Sequence, residues 1–246
     1  MRPYKVDVPI RVMIWNRLEL QKKQFDIIKQ ATQRILFLVS DGGRNPDEQK
    51  LINQSRSIFD NIDWECEVHK IYFDTNQGLY SIFQTWNRYI WERVGRCVFL
   101  VDDYLPSVYS FEYCAELLEK YKDDERIDMI TGNNVFGTYD DAQPYDYFFT
   151  EVGWSIWGTA TWKRIADDYG YPLEYADNDY IKKCAKSNLT EFRHNKFEGY
   201  CNSKLVDNHV SGTEYYHAVN SVLQHRLSIV PSRNMIKTCV TGMKGI

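Results

Sequence analysis

The sequence predicts an α/β fold with a doubly wound, mixed and mostly parallel β-sheet flanked by helices. Over the first half of the 246-residue chain, short apolar runs alternate with longer segments of helical periodicity, as in consecutive βαβ units. The main runs are apolar on both faces, which is typical of buried parallel strands, and each ends in a polar turn. A hydrophobic content of 43% beside 26% charged residues agrees with a packed core.

Four strand and helix pairs are predicted in the first half. The strands cover residues 9–15, 35–39, 67–72 and 97–101. The helices cover residues 18–34, a segment starting at Pro46, residues 79–94 and residues 107–121. The third strand is more polar than the others, so we expect it nearer an edge of the sheet.

The second half is less regular. A strand is predicted at residues 127–131, and the aromatic, irregular residues 135–153 then indicate a substrate loop or lid. The later elements are predicted as a strand at 154–157, a helix at 160–169, helical pieces and polar loops over 170–212, a helix at 213–224 and a strand at 227–231. We expect one domain over residues 1–246.

Composition excludes several classes of protein. The formal net charge of −4 argues against a general nucleic-acid binder. No run approaches the roughly 18 apolar residues of a transmembrane helix, and residues 1–7 have no apolar signal core. The six cysteines form no CxxC or zinc-type cluster, which favours a reducing cytoplasm. Peripheral attachment to a membrane stays open.

Two adjacent aspartates, Asp102 and Asp103, follow the fourth predicted strand. Ligands of open α/β sheets bind at the carboxyl ends of the strands, and carboxylates there suit Mg²⁺ or Mn²⁺. Neighbouring residues of an extended chain point to opposite faces, so both aspartates meet one metal only if the chain turns, as Pro106 suggests. The alternative is an exposed loop pair with Asp103 capping a helix.

Four blocks of sequence resemble the GT-A nucleotide-diphospho-sugar glycosyltransferases, particularly a bacterial surface-polysaccharide branch sometimes labelled hemolysin-like. The blocks are residues 9–17 with 39–42, residues 76–79, residues 99–107 running on through 116–124 to 130–134, and residues 157–164. Their order and spacing agree over about residues 9–165, and a weaker match resumes at 214–216 and 227–231.

The resemblance implies a GT-A fold with a nucleotide-binding half at about 9–134 and an acceptor-side half at about 135–246. It also implies that a divalent metal, Mn²⁺ or Mg²⁺, links the protein to the diphosphate of a nucleotide sugar. Asp103 matches the metal-binding acidic position of the family and Asp102 the position before it. The sequence departs from the family at Val101, where relatives usually have Glu.

The resemblance assigns further roles at the ends of the first two strands. Arg17 is our candidate for a diphosphate contact, with a surface salt bridge as the alternative. Asp41 is placed near the nucleobase, where its carboxylate would accept the N3–H of uracil; the alternative is a turn with Gly42 and Gly43. Asn16 is either a nucleotide contact or a turn residue.

The remaining candidates lie later in the chain. Asn76 and Gly78 precede a helix and would form an anion-facing helix start. Trp157 and Gly158 would line the donor or acceptor sugar, with the glycine permitting a close backbone approach. Trp157 has a core role as an equal alternative, and Trp162 is expected in the core.

A general base is needed if the transfer inverts the anomeric centre, because the acceptor hydroxyl must lose its proton. The resemblance makes Glu214 the first candidate, while a helix N-terminal carboxylate is its alternative. Asp177 and Asp179 are second choices. His209 and His217 are close to Glu214 in sequence but receive no role.

The sequence therefore predicts a metal-dependent, inverting glycosyltransferase of the hexosyl or N-acetylhexosaminyl class. The expected donor is a UDP-sugar, and the expected acceptor is a surface glycan or lipid-linked saccharide. The expected location is the cytoplasm, with the inner face of the cell membrane as a further possibility. The alternatives are a degenerate, non-catalytic nucleotide- or glycan-binding domain, which Val101 favours, and a sugar nucleotidyltransferase, which we rank lower because residues 16–19 lack a glycine-rich loop.

Overall fold

The structure is a computed structural model and describes residues 8–134, 145–151, 158–168, 178–191, 195, 221 and 223–238. Its strands are β1 (Ile10–Met13), β2 (Ile35–Ser40), β3 (Glu67–Tyr72), β4 (Arg96–Leu100), β5 (Tyr104–Pro106), β6 (Ile127–Ile130), β7 (Tyr147–Thr150), β8 (Thr159–Trp162), β9 (Leu227–Pro231) and β10 (Ile236–Thr238). Its helices are α1 (Leu18–Ala31), α2 (Pro46–Ile58), α3 (Leu79–Trp91), α4 (Tyr109–Lys120), α5 (Lys163–Asp167) and α6 (Asp179–Asn188), with a 3₁₀ turn at Phe59–Asn61.

Eight strands form one sheet in the order β3-β2-β1-β4-β8-β6-β9-β7. Strands β1 to β4 are parallel to one another. Strand β8 is antiparallel to both β4 and β6, β9 is parallel to β6, and β7 is antiparallel to β9. The prediction of a mixed, mostly parallel sheet is confirmed, as is the edge position of the third strand. The sheet also joins strands from both predicted halves of the chain.

Alternation within β2 shows why this sheet is covered on both faces. Leu36 and Leu38 belong to a core cluster with apolar residues of α1 and α4, whereas Phe37 and Val39 belong to a second cluster with residues of α3. Successive side chains of a strand point to opposite faces, so a continuous apolar run requires helices on both sides.

Two predictions for the second half were wrong. Residues 160–162, predicted as the start of a helix over 160–169, belong to strand β8, and the helix is confined to Lys163–Asp167. All four residues of β8 are buried between β4 and β6, and two are β-branched threonines. Within the expected loop 135–153, residues 147–150 form the edge strand β7, whose Tyr-Phe-Phe-Thr composition suits a strand. Residues 135–144 and 152–157, including the strand predicted at 154–157, lie outside the described residues.

A short antiparallel ribbon was also missed. Strand β5 begins directly after the aspartate pair and pairs with β10, so that Tyr104 lies opposite Thr238 and Pro106 opposite Ile236. Pro106 therefore ends a strand, and α4 starts only at Tyr109. In the described part of the chain, no helix is long and apolar enough to cross a membrane.

The order of the strands reverses beside β1. Strands β2 and β3 follow on one side of β1, while β4 pairs with its other side. A crevice opens at such a reversal outside the carboxyl ends of the strands, and ligands of open α/β sheets bind there.

Candidate functional site

A cleft of about 320 Å³ lies at the reversal point. The turns after β1, β2 and β4 and the loop between β3 and α3 all contribute to it, as the sequence predicted for the strand ends. Its lining consists of Met13, Ile14, Trp15, Asp41, Arg44, Asn76, Gly78, Leu79, Ile82 and Asp102. One wall is thus largely apolar, and the polar groups come mainly from the ends of β2, β3 and β4.

The chain turns at Asp102 and Asp103, as required for both to reach one ligand. Buried Gln24 of α1 fixes this turn by donating hydrogen bonds from Nε2 to the carbonyl oxygens of Val101 (2.7 Å) and Tyr104 (2.6 Å). The Tyr104 hydroxyl donates to the carbonyl of Phe99 at 2.7 Å. The two aspartates therefore sit on a turn that is held at both sides by buried groups.

Asp102 lies in the cleft and pairs with Arg17, whose Nε is 3.5 Å from its Oδ2. Burial raises the pKa of Asp102, and the neighbouring Asp103 charge acts in the same direction, while Arg17 opposes both. The structure therefore brings together the predicted diphosphate contact and one predicted metal ligand. A cation beside this carboxylate favours its ionised form.

Asp103 has a buried Oδ1 that finds no hydrogen-bond partner among the described residues. A buried carboxylate oxygen without a donor is costly unless a cation or hydrogen bond compensates it. No group of three or more His, Cys, Asp or Glu side chains that could hold a metal occurs in the described ranges. Two carboxylates with an unused oxygen fit Mg²⁺ or Mn²⁺ whose remaining ligands are substrate phosphates and water.

The buried carboxylate of Asp41 is a clamp, in the sense that its hydrogen bonds hold the loop after β2 against the loop between β3 and α3. Its Oδ1 accepts hydrogen bonds from the backbone N–H groups of Gly42 and Gln77, both at 2.8 Å. Its Oδ2 accepts from the backbone N–H of Gly78 and from Nδ2 of Asn76, both at 3.0 Å. A carboxylate offers about four lone-pair sites, so the protein itself uses all of them.

The turn role, given above as the alternative for Asp41, is therefore present in the structure. A uracil N–H would have to displace one of the four protein hydrogen bonds. Gly42 makes the clamp possible, because a Cβ atom at this residue would lie 2.4 Å from the backbone carbon of Thr75. Gly78 precedes α3 with φ +78°, a backbone conformation that other residues rarely adopt.

Arg56 of α2 makes hydrogen bonds to the backbone at the ends of β2 and β3, next to the cleft. Its guanidinium donates to the hydroxyl of Ser40 (2.9 Å) and to the carbonyl oxygens of Ser40 (3.3 Å), Asp41 (2.9 Å) and Phe73 (2.8 Å). These bonds tie the carboxyl ends of β2 and β3 to one side chain. The aromatic ring of Tyr72 lies under the guanidinium, 4.7 Å from ring centroid to Cζ.

Glu48, also on α2, connects the turns after β1 and β2. It accepts a hydrogen bond from Nε of Arg44 at 2.9 Å and one from Nδ2 of Asn16 at 3.4 Å. Hydrogen bonds from the Arg44 side chain and backbone lower the pKa of Glu48 to about 2. Asn16 thus has a structural partner at the cleft, and Arg44 lies in the lining.

Other predicted residues lie elsewhere. Gly158 is buried between Gly132 and Ile236, so the close approach it permits is to the protein's own chain rather than to a sugar in the cleft. Trp162 is in the core, as expected, and its Nε1 donates to the carbonyl of Leu118. Asp179 is in the exposed first turn of α6. Residues outside the described ranges are Trp157, Asp177, His209, Glu214 and His217.

Four supporting residues were not predicted: Gln24, Arg44, Glu48 and Arg56. A signal existed for two of them. Gln24 is a polar residue on the apolar face of α1, and Glu48 stands three residues after the N-cap Asn45, whose Oδ1 accepts the Glu48 N–H. Arg44 and Arg56 have no comparable local signal, because their roles depend on contacts between separate elements.

Comparisons with known proteins place the chain in no family. No family model and no curated protein matches it. A solved UDP-glucose pyrophosphorylase complexed with UDP-glucose is 10% identical over 95% of this chain and 93% of that chain, with a TM-score of 0.43. HddC from Yersinia pseudotuberculosis is 11% identical over 50% of this chain and 57% of that chain, with a TM-score of 0.34.

A third solved structure is 4-diphosphocytidyl-2C-methyl-D-erythritol synthase from Anaerococcus prevotii DSM 20548. It is 11% identical over 90% of this chain and 100% of that chain, with a TM-score of 0.37. None of these three proteins is named as a glycosyltransferase. At such identities and TM-scores the similarities do not determine an activity for this chain.

Proposed function

We propose that this protein is a metal-dependent glycosyltransferase that moves a sugar from a nucleoside-diphosphate donor, expected to be a UDP-sugar, to a glycan or lipid-linked saccharide. One observation carries the proposal. The ends of β1, β2 and β4 meet at one cleft that Asp102 lines; Asp102 pairs with Arg17, and Asp103, the next residue in the chain, has an unused buried oxygen. This arrangement offers hard oxygen ligands and a cation beside an apolar wall.

The charges of the cleft suit a leaving diphosphate. The Arg17 guanidinium lies beside Asp102 at the strand reversal, where it would contact phosphate oxygens. Asp102 and Asp103 would hold Mn²⁺ or Mg²⁺, which when bound neutralises charge that develops on the leaving diphosphate. Gln24 and Tyr104 keep the aspartate turn fixed, so little reorganisation is needed on binding.

Sugar transfer forms a bond from an acceptor oxygen to the anomeric carbon and breaks the bond from that carbon to the diphosphate. In an inverting reaction a base takes the proton of the acceptor hydroxyl. Glu214 remains our proposed base and Trp157 our proposed sugar contact, on the resemblance alone. The acceptor-side role of residues 135–246 and a position at the inner face of the membrane are proposals of the same kind.

A thermal-shift screen tests the proposal first. Purified protein is heated with UDP, CDP, GDP, ADP and UDP-sugars, with and without Mn²⁺. We expect at least one nucleotide to raise Tm by about 5 °C or more at roughly 100 times Kd, and only when Mn²⁺ is present. Nucleoside diphosphate released from the matching sugar donor then measures turnover.

Asp103→Asn removes one charge from the proposed metal site without changing its size. We expect the Mn²⁺-dependent shift and turnover to be lost, while Asp123→Asn, at an exposed position, keeps both. Full activity of Asp103→Asn, or activity unaffected by EDTA, would contradict the metal role. Nucleotide binding without turnover of any donor would favour the non-catalytic alternative, and pyrophosphate release from a nucleoside triphosphate with a sugar phosphate would indicate a nucleotidyltransferase.

A further inference from the structure

The side-chain amide of Asn76 is held by hydrogen bonds within the protein. Its amide nitrogen donates one hydrogen bond to Asp41 Oδ2 and another to the carbonyl oxygen of Gly42, both at 3.0 Å. An amide group carries two N–H donors, so both are used within the protein. The direction of the side chain is thereby fixed, and its Oδ1 remains as the acceptor.

Asn76 is an exposed residue of the cleft lining, and its hydrogen bonds within the described residues both leave from Nδ2, so that Oδ1 faces no protein donor there. The opposite situation holds for Asp41, whose four acceptor sites are filled by protein N–H groups. A ligand that needs an acceptor at this end of the cleft therefore meets a free amide oxygen rather than a free carboxylate.

Large apolar side chains line the same cleft. Met13, Trp15, Leu79 and Ile82 share the lining with Asn76, and Leu79 is 46% exposed although it is a large apolar residue. A flat aromatic ring between such side chains would cover Leu79 and present its edge to the amide oxygen. Nucleobases have this shape, and the imide of uracil carries a ring N–H donor at its edge.

We propose that Asn76 Oδ1 accepts the ring N–H of the nucleobase and that Asp41 is a positioning residue, which holds Asn76 and the 76–78 loop without contacting the nucleotide. The inference rests on the proposed function, because it assumes a uridine nucleotide in the cleft. It replaces the direct contact between Asp41 and uracil N3–H that the resemblance implied, since that contact would cost an existing hydrogen bond.

The assignment is tested by measuring two ligands on three forms of the protein. The probes are UDP and its N3-methyl analogue, in which the ring N–H is replaced. Their affinities in the presence of Mn²⁺ are measured by calorimetry on the unmodified protein, on Asn76→Ala and on Asn53→Ala. Asn53 is an exposed asparagine of α2 outside the cleft lining, whose Oδ1 accepts from Gln49. It serves as the matched control.

We expect N3-methylation to weaken binding to the unmodified protein by about tenfold, as loss of one good hydrogen bond does. Asn76→Ala should weaken UDP binding by a similar factor and should then be insensitive to methylation. Asn53→Ala should behave like the unmodified protein. The comparison of the two probes within Asn76→Ala, rather than its affinity for UDP alone, separates loss of this one contact from a general weakening of binding.

Three other outcomes would overturn the assignment. If Asn76→Ala weakens both probes equally and keeps its sensitivity to methylation, another group accepts the N–H. If the unmodified protein binds both probes equally, no group does. If it binds another nucleoside diphosphate and not UDP, the base assignment fails while nucleotide binding stands. Binding of no nucleotide at all would instead reject the proposed function.

Discussion

Two buried aspartates of this protein occupy contrasting surroundings. Asp41, at the carboxyl end of β2, has both oxygens saturated by four hydrogen bonds. Asp128, on β6, accepts from the hydroxyl of Ser228 at 3.1 Å through Oδ1, but its buried Oδ2 has no hydrogen-bond partner in the described structure. The first carboxylate joins two loops of the cleft, whereas the second belongs to a strand inside the sheet, between β8 and β9.

The arginines near the two carboxylates also differ in their hydrogen bonds. Arg56, near Asp41, donates to four acceptors at the carboxyl ends of β2 and β3. Arg226 near Asp128 pairs with Asp168 and donates to the carbonyl of Glu125, yet its buried Nη1 has no partner in the described ranges. Saturated polar groups fix a geometry, whereas a buried carboxylate oxygen without a partner makes stability depend on whether that carboxyl group is protonated.

Removal of the Asp41 carboxylate is expected to change the free energy of unfolding more than any other substitution proposed below. Asp41→Ala leaves the N–H groups of Gly42, Gln77 and Gly78 without their acceptor. We expect the free energy of unfolding to fall by about 3 kcal/mol, because several charge-assisted hydrogen bonds are lost together. Urea unfolding followed by tryptophan fluorescence measures this. Asp74→Ala, at an exposed position in the loop that carries Gln77 and Gly78, is the control and should change stability by less than about 0.5 kcal/mol.

A loss below about 1 kcal/mol for Asp41→Ala would show that the loop is held mainly by packing. It would then also remove the physical basis for treating Asp41 as a positioning residue.

Arg56 provides the next test of the same network. Arg56→Met keeps much of the side-chain volume but leaves the carbonyl oxygens of Ser40, Asp41 and Phe73 without this donor. We expect about 2 kcal/mol of destabilisation, and Arg56→Lys should recover only part of it, since an ammonium cannot reproduce the planar set of donors. The measurement is again urea unfolding. Equal stability of the lysine variant and the unmodified protein would mean that charge alone, rather than the hydrogen-bond geometry, is required.

Substitution of Asp128 has an effect of the opposite sign, which depends on pH and disappears at low pH. Burial, opposed by the hydroxyls of Ser221 and Ser228, raises the pKa of Asp128 from an ordinary 3.8 to about 6. The folded protein therefore binds this proton more tightly than the unfolded chain. Its contribution to stability is full below about pH 4 and is lost as the pH rises through 6.

We therefore expect Asp128→Asn to have little effect at pH 4 and to stabilise the protein by about 2 kcal/mol at pH 7.5 relative to the unmodified chain. Chemical unfolding at the two pH values gives the difference. Asp124 offers a contrast, because hydrogen bonds from Arg126 lower its pKa to about 2. Asp124→Asn should lose stability relative to the unmodified protein at neutral pH. A stability difference for Asp128→Asn that does not vary with pH would contradict the role of Oδ2.

Much of the fold could be predicted from local sequence. Strands β3 and β9 were predicted with the bounds that the structure shows. Residues 160–162 of β8 were mistaken for the start of a helix, since the strand depends on pairing with β4 and β6, which are distant in sequence. The ribbon of β5 and β10 was missed for the same reason.

The candidate site was predictable in part. The strand ends that carry Asp41, Asn76, Gly78 and Asp102 do meet at one cleft, as parallel strands require. The saturation of Asp41 could not be predicted, because its donors at Gln77 and Gly78 lie more than 30 residues further along the chain. Hydrogen-bond capacity depends on tertiary distances, which composition and periodicity do not contain.

The ribbon of β5 and β10 has a consequence for synthesis of the chain. Strand β5 directly follows Asp103, but its partner β10 is made more than a hundred residues later. At the usual rates of translation the delay is about ten seconds. During this time β1 to β4 can pair with one another, while β5 has no β10 to pair with. Contacts between such distant segments form late in folding. The ribbon beside the aspartate turn is therefore completed later in synthesis than the pairing of β1 to β4.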